Sequence, residues 1–266
     1  MKILNGSELA GFIKERHASQ VRALRSKKIF PKLAIVQVKD DPVINTYIRL
    51  KKQYGADIGV EVEAHQVAQA QVPGLLKKLN DDPLIHGIIV QLPLSDPSKT
   101  DEIVDQVASE KDVDALGARA KFDPATPMAI LWLLSGYNIN LTDKQILIVG
   151  HGKLVGTPLS RILIKSKLDV SVADENTKDL AKKVLTADII ITATGSPAIL
   201  NADMIKPGAV VVDAGVASES GKTVGDLAPD VYRRDDLTIT PHRGGVGPLT
   251  VCALFENVIR AASLKT

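Results

Sequence analysis

The sequence predicts an α/β protein with two domains, an N-terminal three-layer α/β domain followed by a Rossmann-like domain that binds a dinucleotide. Three observations support this prediction. Apolar strand-like runs alternate with helical patterns through both halves of the chain. A glycine-rich turn, Gly150-x-Gly152-x-x-x-Gly156, directly follows an apolar run. The length of 266 residues, with 45% hydrophobic and 24% charged residues, suits two globular domains of ordinary size.

The first half of the chain alternates helices with strands. Helical periodicity over residues 7–28 is followed by an apolar run over 33–38, which predicts a buried strand. The predicted elements then continue as a helix over 43–58, a strand over 60–67, a helix over 72–80 and a strand over 85–93. This alternation implies a mainly parallel sheet, and we place the first domain at residues 1–124.

The second half repeats the alternation around the glycine turn. Thr126 is a candidate N-cap and Pro127 a candidate first residue of an apolar helix over 128–137. Strands are predicted over 146–149, 169–174, 187–195, 208–215 and 237–241, with helices after Gly156, over 177–186 and over 250–263. We place the dinucleotide-binding domain at residues 125–248.

Composition limits the classes of partner. The net charge is only +2, from 33 basic and 31 acidic residues, and lysine pairs are scattered, so no nucleic-acid partner is expected. No apolar run approaches the roughly 20 residues of a membrane span, and no leader-like apolar segment opens the sequence, so we expect a cytoplasmic protein without a membrane partner. Cys252 is the single cysteine, which excludes an internal disulfide and favours a small buried side chain. No metal is expected, because the histidines lack ligand-like spacing.

The glycine turn indicates how a dinucleotide would be held. Glycines let the backbone approach a pyrophosphate, and the N–H groups at the start of the following helix bind its charge. Asp174 ends the next predicted strand, where an acid binds the adenosine ribose and would repel a 2′-phosphate. This carboxylate favours NAD over NADP. His151 and Lys153 could offer a cationic site, so NADP stays open.

Polar residues stand near the carboxyl ends of the first-domain strands, where ligands of parallel sheets collect. Tyr47 and Lys51 share one helix face through their i, i+4 spacing. Gln91 interrupts an apolar strand, and a buried amide there needs a partner. A further polar run, Lys111-Asp-Val-Asp114, follows a helical stretch. Taken alone, a Tyr–Lys pair on a helix is usually a packed ring beside a solvated amine, a glutamine at a strand end is often a capped edge, and the polar run could be a surface turn.

Taken in order, these motifs form a series that extends through the chain. They are Asp40-Asp-Pro42, Tyr47-x-x-x-Lys51, Gly87-Ile-Ile-Val-Gln-Leu-Pro93, Glu110-Lys-Asp-Val-Asp114, Val149-Gly-His-Gly-Lys-Leu-Val-Gly-Thr-Pro158, Lys206-Pro-Gly-Ala-Val-Val-Val-Asp213, Val224-Gly-Asp226 and Gly244-Gly-Val-Gly-Pro-Leu-Thr250. The series resembles the bifunctional methylenetetrahydrofolate dehydrogenase/methenyltetrahydrofolate cyclohydrolase family, from residue 1 to about residue 262.

The resemblance implies two activities. A dehydrogenase step would transfer a hydride from 5,10-methylenetetrahydrofolate to NAD(P)+, and a cyclohydrolase step would add water to the methenyl product to give 10-formyltetrahydrofolate. Lys51 matches the family's catalytic lysine, Tyr47 the adjacent tyrosine and Gln91 the glutamine that holds the lysine. Asp114 matches the aspartate that anchors the pterin. The resemblance also implies a homodimer and a C-terminal segment, 249–266, that packs back on the first domain.

The motifs and the resemblance together define three sets of candidate site residues. The catalytic set is Tyr47, Lys51, Gln91 and Asp114. The cofactor-binding set is Gly150, His151, Gly152, Lys153, Val155, Gly156, Asp174, Thr194, Gly195 and Val216. The substrate-binding set is Tyr47, Lys51, Gln91, Leu92, Pro93, Asp114, Gly245, Val246 and Pro248.

The chain departs from the family pattern in ways that leave alternatives open. The segment over 116–125 is shortened, Ala115 replaces a glycine, and His242-Arg243 replaces Val-Pro. One alternative is a degenerate paralogue that binds folate or nucleotide without turnover. Another is a dehydrogenase for a different small substrate, although Lys51, Gln91 and Asp114 argue against it.

Overall fold

The computed structural model describes residues 1–219 and 222–264. In chain order, its helices and strands are β1 (Lys2–Ile3), α1 (Gly6–Ser26), β2 (Lys32–Gln37), α2 (Pro42–Ile58), β3 (Glu61–Gln66), α3 (Val72–Asp81), β4 (Gly87–Gln91), α4 (Thr100–Val104), α5 (Ala125–Gly136), β5 (Ile146–Val149), α6 (Gly156–Lys165), β6 (Val170–Ala173), α7 (Leu180–Thr186), β7 (Ile189–Thr192), β8 (Val210–Asp213), β9 (Ala217–Glu219), β10 (Lys222–Val224), β11 (Thr238–Ile239) and α8 (Val246–Ser263). None of the helices in this described part is both long and apolar enough to cross a membrane.

The chain divides into two compact units. The Lys51 unit comprises Gly11–Ala125 and the segment from Val251 onward, and the glycine-loop unit comprises Met1–Ala10 and Thr126–Thr250. The sequence placed residues 1–10 in the first domain, whereas the structure places them in the glycine-loop unit. Strand β1 pairs in parallel with β11, and this long-range pairing has no local sequence signal.

The Lys51 unit is built on a parallel sheet in the order β3-β2-β4. Strands β2 and β4 are almost entirely buried, which explains why both appear in the sequence as continuous apolar runs. The buried face of α3 packs with them in one core cluster. Cys252, in α8, is fully buried, which confirms the prediction of a small core side chain.

The glycine-loop unit contains a parallel sheet in the order β1-β11-β8-β7-β5-β6. From β5 the chain moves outward to β6 and then returns to the other side as β7, so the strand order reverses between β5 and β7. Ligands of open α/β sheets bind at the carboxyl edge of such a reversal. The turns after β5 and after β7 both lie at this edge.

Several predicted boundaries differ in the structure. Helix α5 begins at Ala125, so Thr126 lies inside the first turn and does not precede the helix. Pro127 is still compatible with that turn, whose N–H groups have no intrahelical partner. Helix α7 begins at Leu180, because Asp179 adopts a positive φ of 54°. The antiparallel pair of β9 and β10 was absent from the prediction.

Candidate active site

Helix α2 fixes the position of Lys51. Asp41 caps the helix, since its Oδ1 accepts the N–H groups of Val43 at 2.8 Å and Ile44 at 3.2 Å. Gly59 ends the helix in the left-handed region. Lys51 therefore projects from a helix whose first turn and last turn are both fixed.

Lys51 and Gln91 are brought together across 40 residues of sequence. Lys51 Nζ donates a hydrogen bond of 2.7 Å to Gln91 Oε1, and Gln91 Nε2 donates to the carbonyl of Leu92 at 3.2 Å. The second bond orients the amide so that its oxygen faces the lysine. The peptide bond between Leu92 and Pro93 is cis, and Leu92 is half-buried whereas Pro93 is exposed.

Burial shifts the pKa values of Lys51, Asp114 and Tyr47. It lowers the pKa of Lys51, and the charge of Asp114 acts in the opposite direction. Burial likewise raises the pKa of Asp114, opposed by the charge of Lys51. The pKa of Tyr47 is also raised by burial, so its hydroxyl stays protonated. The arrangement can exchange a proton at Lys51 Nζ near neutral pH more readily than an exposed lysine can.

The segment that carries Asp114 is anchored by a buried lysine. Lys111 Nζ donates to the carbonyls of Leu79, Asn80 and Asp82 at 2.9, 2.7 and 2.6 Å, and so binds the end of α3. The carbonyl of Lys111 in turn accepts the N–H of Ile88 in β4 at 2.7 Å. Sequence reasoning singled out this run but assigned Lys111 no role.

Asp112 and Asn257 hold the same segment from two other sides. Asp112 Oδ2 accepts the N–H of Gly117 at 2.8 Å, and Asn257 Nδ2 donates to the carbonyl of Val113 at 2.9 Å. Burial raises the pKa of Asp112 to about 6, although backbone hydrogen bonds from residues 116 and 117 act against the shift. Asn257 was missed, because nothing in its local sequence indicates a partner 144 residues away.

The glycine turn after β5 combines two kinds of glycine. Gly150 has a φ of 105°, and a Cβ atom there would lie 2.5 Å from the carbonyl oxygen of Ala193. A Cβ atom at Gly156, the first residue of α6, would overlap the carbonyl of Gly150. A Cβ atom at Gly152 would have open space among the described residues. Gly150 and Gly156 are thus required by the chain itself, whereas Gly152 is not.

The remaining predicted cofactor residues surround this turn. His151, Gly152 and Lys153 are exposed, and the half-buried Val155 directly precedes α6. Asp174 follows β6 and is exposed. Its Oδ1 accepts the N–H of Asn176 at 3.0 Å and the hydroxyl of Thr177 at 3.1 Å.

Thr194, Gly195 and Val216 belong to the turns that follow β7 and β8. Gly195 has a φ of 68°, and a Cβ atom there would lie 3.4 Å from the carbonyl oxygen of Val216. The side chain of Val216 is 57% exposed, which is high for an apolar residue. These residues and the glycine turn share the carboxyl edge of the sheet.

Gly245, Val246 and Pro248 lie at the start of α8, in the glycine-loop unit. The preceding segment packs on the N-terminus of the chain, where Ser7 donates its N–H to the carbonyl of Gly244 at 2.9 Å. His242 is exposed and stacks on Tyr232, with ring centroids 3.4 Å apart. Helix α8 therefore begins directly after a turn that Ser7 and Tyr232 hold in place.

A glycine turn at the reversal of a parallel sheet, together with a second α/β unit that carries a bonded Lys–Gln pair, defines a dinucleotide-dependent enzyme with two domains. Family profiles identify it further. The profile "Tetrahydrofolate dehydrogenase/cyclohydrolase, catalytic domain" matches residues 4–114, and "Tetrahydrofolate dehydrogenase/cyclohydrolase, NAD(P)-binding domain" matches residues 124–266. The chain belongs to the tetrahydrofolate dehydrogenase/cyclohydrolase family.

Individual relatives agree with this placement. The chain is 36% identical to the bifunctional protein FolD of Campylobacter jejuni strain RM1221, over 98% of each chain. It superimposes on the crystal structure of a bifunctional FolD from Campylobacter jejuni with a TM-score of 0.94 and 35% identity, covering 100% of both chains. It is also similar to FolD from Trypanosoma brucei, solved with NADP and an inhibitor, with a TM-score of 0.92, 28% identity and coverage of 99% and 97%.

Proposed function

We propose that the chain oxidises 5,10-methylenetetrahydrofolate to 5,10-methenyltetrahydrofolate with a nicotinamide dinucleotide, and then hydrolyses this product to 10-formyltetrahydrofolate. The observation that carries the proposal is the 2.7 Å hydrogen bond between Lys51 and Gln91, in a half-buried setting shared with Asp114. Membership of the tetrahydrofolate dehydrogenase/cyclohydrolase family supports the assignment of both activities.

Lys51 would be the proton-transfer group of the hydrolysis. Water that attacks the methenyl carbon must lose a proton, and a neutral amine can accept it. Burial favours the neutral amine by lowering its pKa, and the charge of Asp114 keeps the protonated form accessible. Gln91 orients the amine without adding a negative charge, which would stabilise the ammonium form and remove the base.

Asp114 would hold the pterin. A carboxylate can accept two N–H bonds from the amino-pyrimidinone edge of the substrate, a paired charge-assisted interaction. Burial raises the pKa of Asp114 because it removes water from the carboxylate. Two N–H bonds from the pterin would replace the hydrogen bonds lost with that water. Tyr47, one helical turn before Lys51, would contact the substrate beside the reacting carbon.

The glycine-loop unit fits a dinucleotide. Within the described part of the chain, Gly152 has open space beside it, and the N–H groups at the start of α6 can bind a pyrophosphate. Thr194 and Gly195 would contact the dinucleotide from the turn after β7. When bound, the nicotinamide accepts the hydride, and the residues of the chain need only align the two carbons.

The proposal includes a preference for NAD over NADP. Its support is the exposed carboxylate of Asp174 after β6, where the adenosine ribose binds in such sheets. A 2′-phosphate placed there would be repelled by that charge. Asp174→Ser should therefore raise kcat/KM for NADP relative to NAD by about tenfold or more, and an unchanged ratio would refute the preference.

The activity can be tested in one spectrophotometric experiment. Methylenetetrahydrofolate is supplied with NAD or with NADP, and the reduced dinucleotide and the methenyl product are followed together. We expect both to appear, followed by ring opening in the wild-type protein and none in Lys51→Met. Binding of the ligands without turnover of either dinucleotide would favour the degenerate paralogue.

The expected setting is a cytoplasmic homodimer without a nucleic-acid or membrane partner. The small net charge of +2 supports the absence of a nucleic-acid partner, and the family resemblance alone supports the dimer. Sedimentation equilibrium of the purified chain would give twice the 28.5 kDa chain mass if the dimer forms.

A further inference from the structure

Two carboxylates in the glycine-loop unit stand outside the residues assigned so far. Asp213 ends β8, and Asp226 follows β10 and is completely buried. A buried ionised carboxylate is unfavourable unless hydrogen bonds replace the lost water, and an apolar side chain would often serve stability as well. The hydrogen bonds made by Asp213 and Asp226 therefore indicate the role of each carboxylate.

Asp226 binds the backbone of the turn that follows β7, residues 193–196, which we call the β7 turn. The N–H of Thr194 donates to Asp226 Oδ2 at 2.7 Å, and the N–H of Ser196 donates to Asp226 Oδ1 at 3.1 Å. Gly195 lies between these two donors with a φ of 68°. Both carboxylate oxygens thus define the path of three consecutive residues.

Asp226 is itself held by Asp213. The N–H of Asp226 donates to Asp213 Oδ1 at 3.1 Å, and the N–H of Leu227 donates to Asp213 Oδ2 at 3.3 Å. Asp213 also accepts the hydroxyl of Thr192 at 3.2 Å and that of Tyr232 at 3.3 Å. The carboxylate pair connects strand β8 to the β7 turn through a chain of hydrogen bonds.

Two glycines make room for these carboxylates. A Cβ atom at Gly215 would overlap the carboxylate of Asp226, and a Cβ atom at Gly225 would overlap that of Asp213. The N–H of Gly215 also donates to Asp213 Oδ1 at 3.0 Å. The absence of a side chain at Gly215 and at Gly225 therefore leaves the space that the two carboxylates occupy.

The β7 turn lies directly against the glycine turn. A Cβ atom at Gly150 would meet the carbonyl oxygen of Ala193 at 2.5 Å, so the two turns are in backbone contact at the carboxyl edge of the sheet. A shift of the β7 turn would change the shape of the proposed dinucleotide site, whereas Lys51 and Gln91 belong to the other unit.

We propose that Asp226 is a positioning residue of the dehydrogenase, which fixes the β7 turn in the shape that receives the dinucleotide. This inference rests on the proposed function, because it takes Thr194 and Gly195 as dinucleotide contacts. Asp213 orients Asp226 in turn. Asp226 touches no reacting atom, and its effect is exerted through the backbone of the turn.

Asp226→Asn tests the inference. The amide group places N–H against at least one of the two backbone donors, so the turn should lose a bond and shift. We expect KM for the dinucleotide to rise by about tenfold or more, while kcat changes by less than about threefold. Hydrolysis of added methenyltetrahydrofolate, which consumes no dinucleotide, should stay at the wild-type rate.

Asp188→Asn is the matched control. Asp188 also accepts a backbone N–H from another segment, that of Gln145 at 2.8 Å, but at the amino ends of β5 and β7. The Asp188→Asn variant should leave KM for the dinucleotide unchanged. Equal increases of KM in both variants would show a general effect on the unit and would overturn the inference.

The remaining outcomes are also decisive. A wild-type KM in Asp226→Asn, or loss of hydrolysis together with the dehydrogenase, would overturn this inference while leaving the proposed function intact. Absence of dinucleotide turnover in the wild-type protein would overturn both. Should Asp226→Asn fail to fold, amide hydrogen exchange of the wild-type protein decides: Thr194 and Ser196 should be protected, and exchange as fast as in an exposed loop would refute the role.

Discussion

The Lys51 unit and the glycine-loop unit prepare their candidate residues by opposite means. In the Lys51 unit, burial and hydrogen bonds alter individual side chains, so that the pKa of Lys51 is lowered and its amine is bonded to Gln91. In the glycine-loop unit, side chains are absent where the backbone must be approached, as at Gly152 and Gly156. Replacing a functional group should therefore impair the first unit, whereas adding one carbon should impair the second.

The largest effect is expected from the side chain that carries the proposed chemistry. Lys51→Met removes the proton acceptor, and hydrolysis of methenyltetrahydrofolate should fall by about 10²- to 10⁴-fold. Steady-state rates with added methenyl substrate give the measurement. Lys52→Met, at the exposed neighbouring position, is the control and should retain the wild-type rate. Equal losses in both variants would argue against a specific role for Lys51.

The next effect tests the glycines as a packing device. Gly156→Ala places a carbon against the backbone carbonyl of Gly150, where no flexible side chain can move aside. We expect a loss of about 3 kcal/mol in the free energy of unfolding, measured by urea denaturation. Gly152→Ala should lose almost none, since the added carbon enters open space among the described residues. Similar losses at both positions would contradict the distinction.

A third prediction concerns pH and the segment that carries Asp114. The pKa of Asp112 is raised to about 6 by burial, above its value in the unfolded chain, so ionisation of this group lowers stability as pH rises from about 4 to about 6. Asp112→Asn lacks this titration. The excess stability of the wild type over the variant should be up to about 3 kcal/mol larger at pH 4 than at pH 7. A pH-independent difference between the urea curves would refute the shift.

The smallest effect concerns the residue after Asp114. Ala115 has a φ of 56°, a left-handed conformation that glycine adopts without the steric cost of a Cβ atom. Ala115→Gly should stabilise the fold by about 0.5–1 kcal/mol in thermal or urea unfolding. Ala198→Gly, at a φ of 55°, is a matched position outside the Lys51 unit and should give a similar gain. Destabilisation by both changes would contradict the steric argument.

The sequence predicted those features that have a local pattern. The spacing of Tyr47 and Lys51, the polar end of β4 at Gln91 and the glycine turn each appear within a few residues of sequence. The alternation of apolar runs also predicted the parallel sheets. Family resemblance supplied what spacing could not, namely which of these residues act together.

Features that depend on distant partners could not be predicted. Lys111 bonds to carbonyls about 30 residues away, which is visible only once α3 and β4 are packed. Asn257 and the carboxylate pair Asp213–Asp226 are similar cases, because each binds backbone groups from another element. Strand β1 is too short to show a pattern and is stabilised by pairing with β11.

The separation of chemistry from dinucleotide binding is tested most directly by adding methenyltetrahydrofolate, without any dinucleotide, to Gly152→Ala and to Lys51→Met. Gly152→Ala should hydrolyse it at the wild-type rate, although its affinity for the dinucleotide should be at least about tenfold weaker. Lys51→Met should leave it intact. Equal impairment of hydrolysis in both folded variants would contradict the separation.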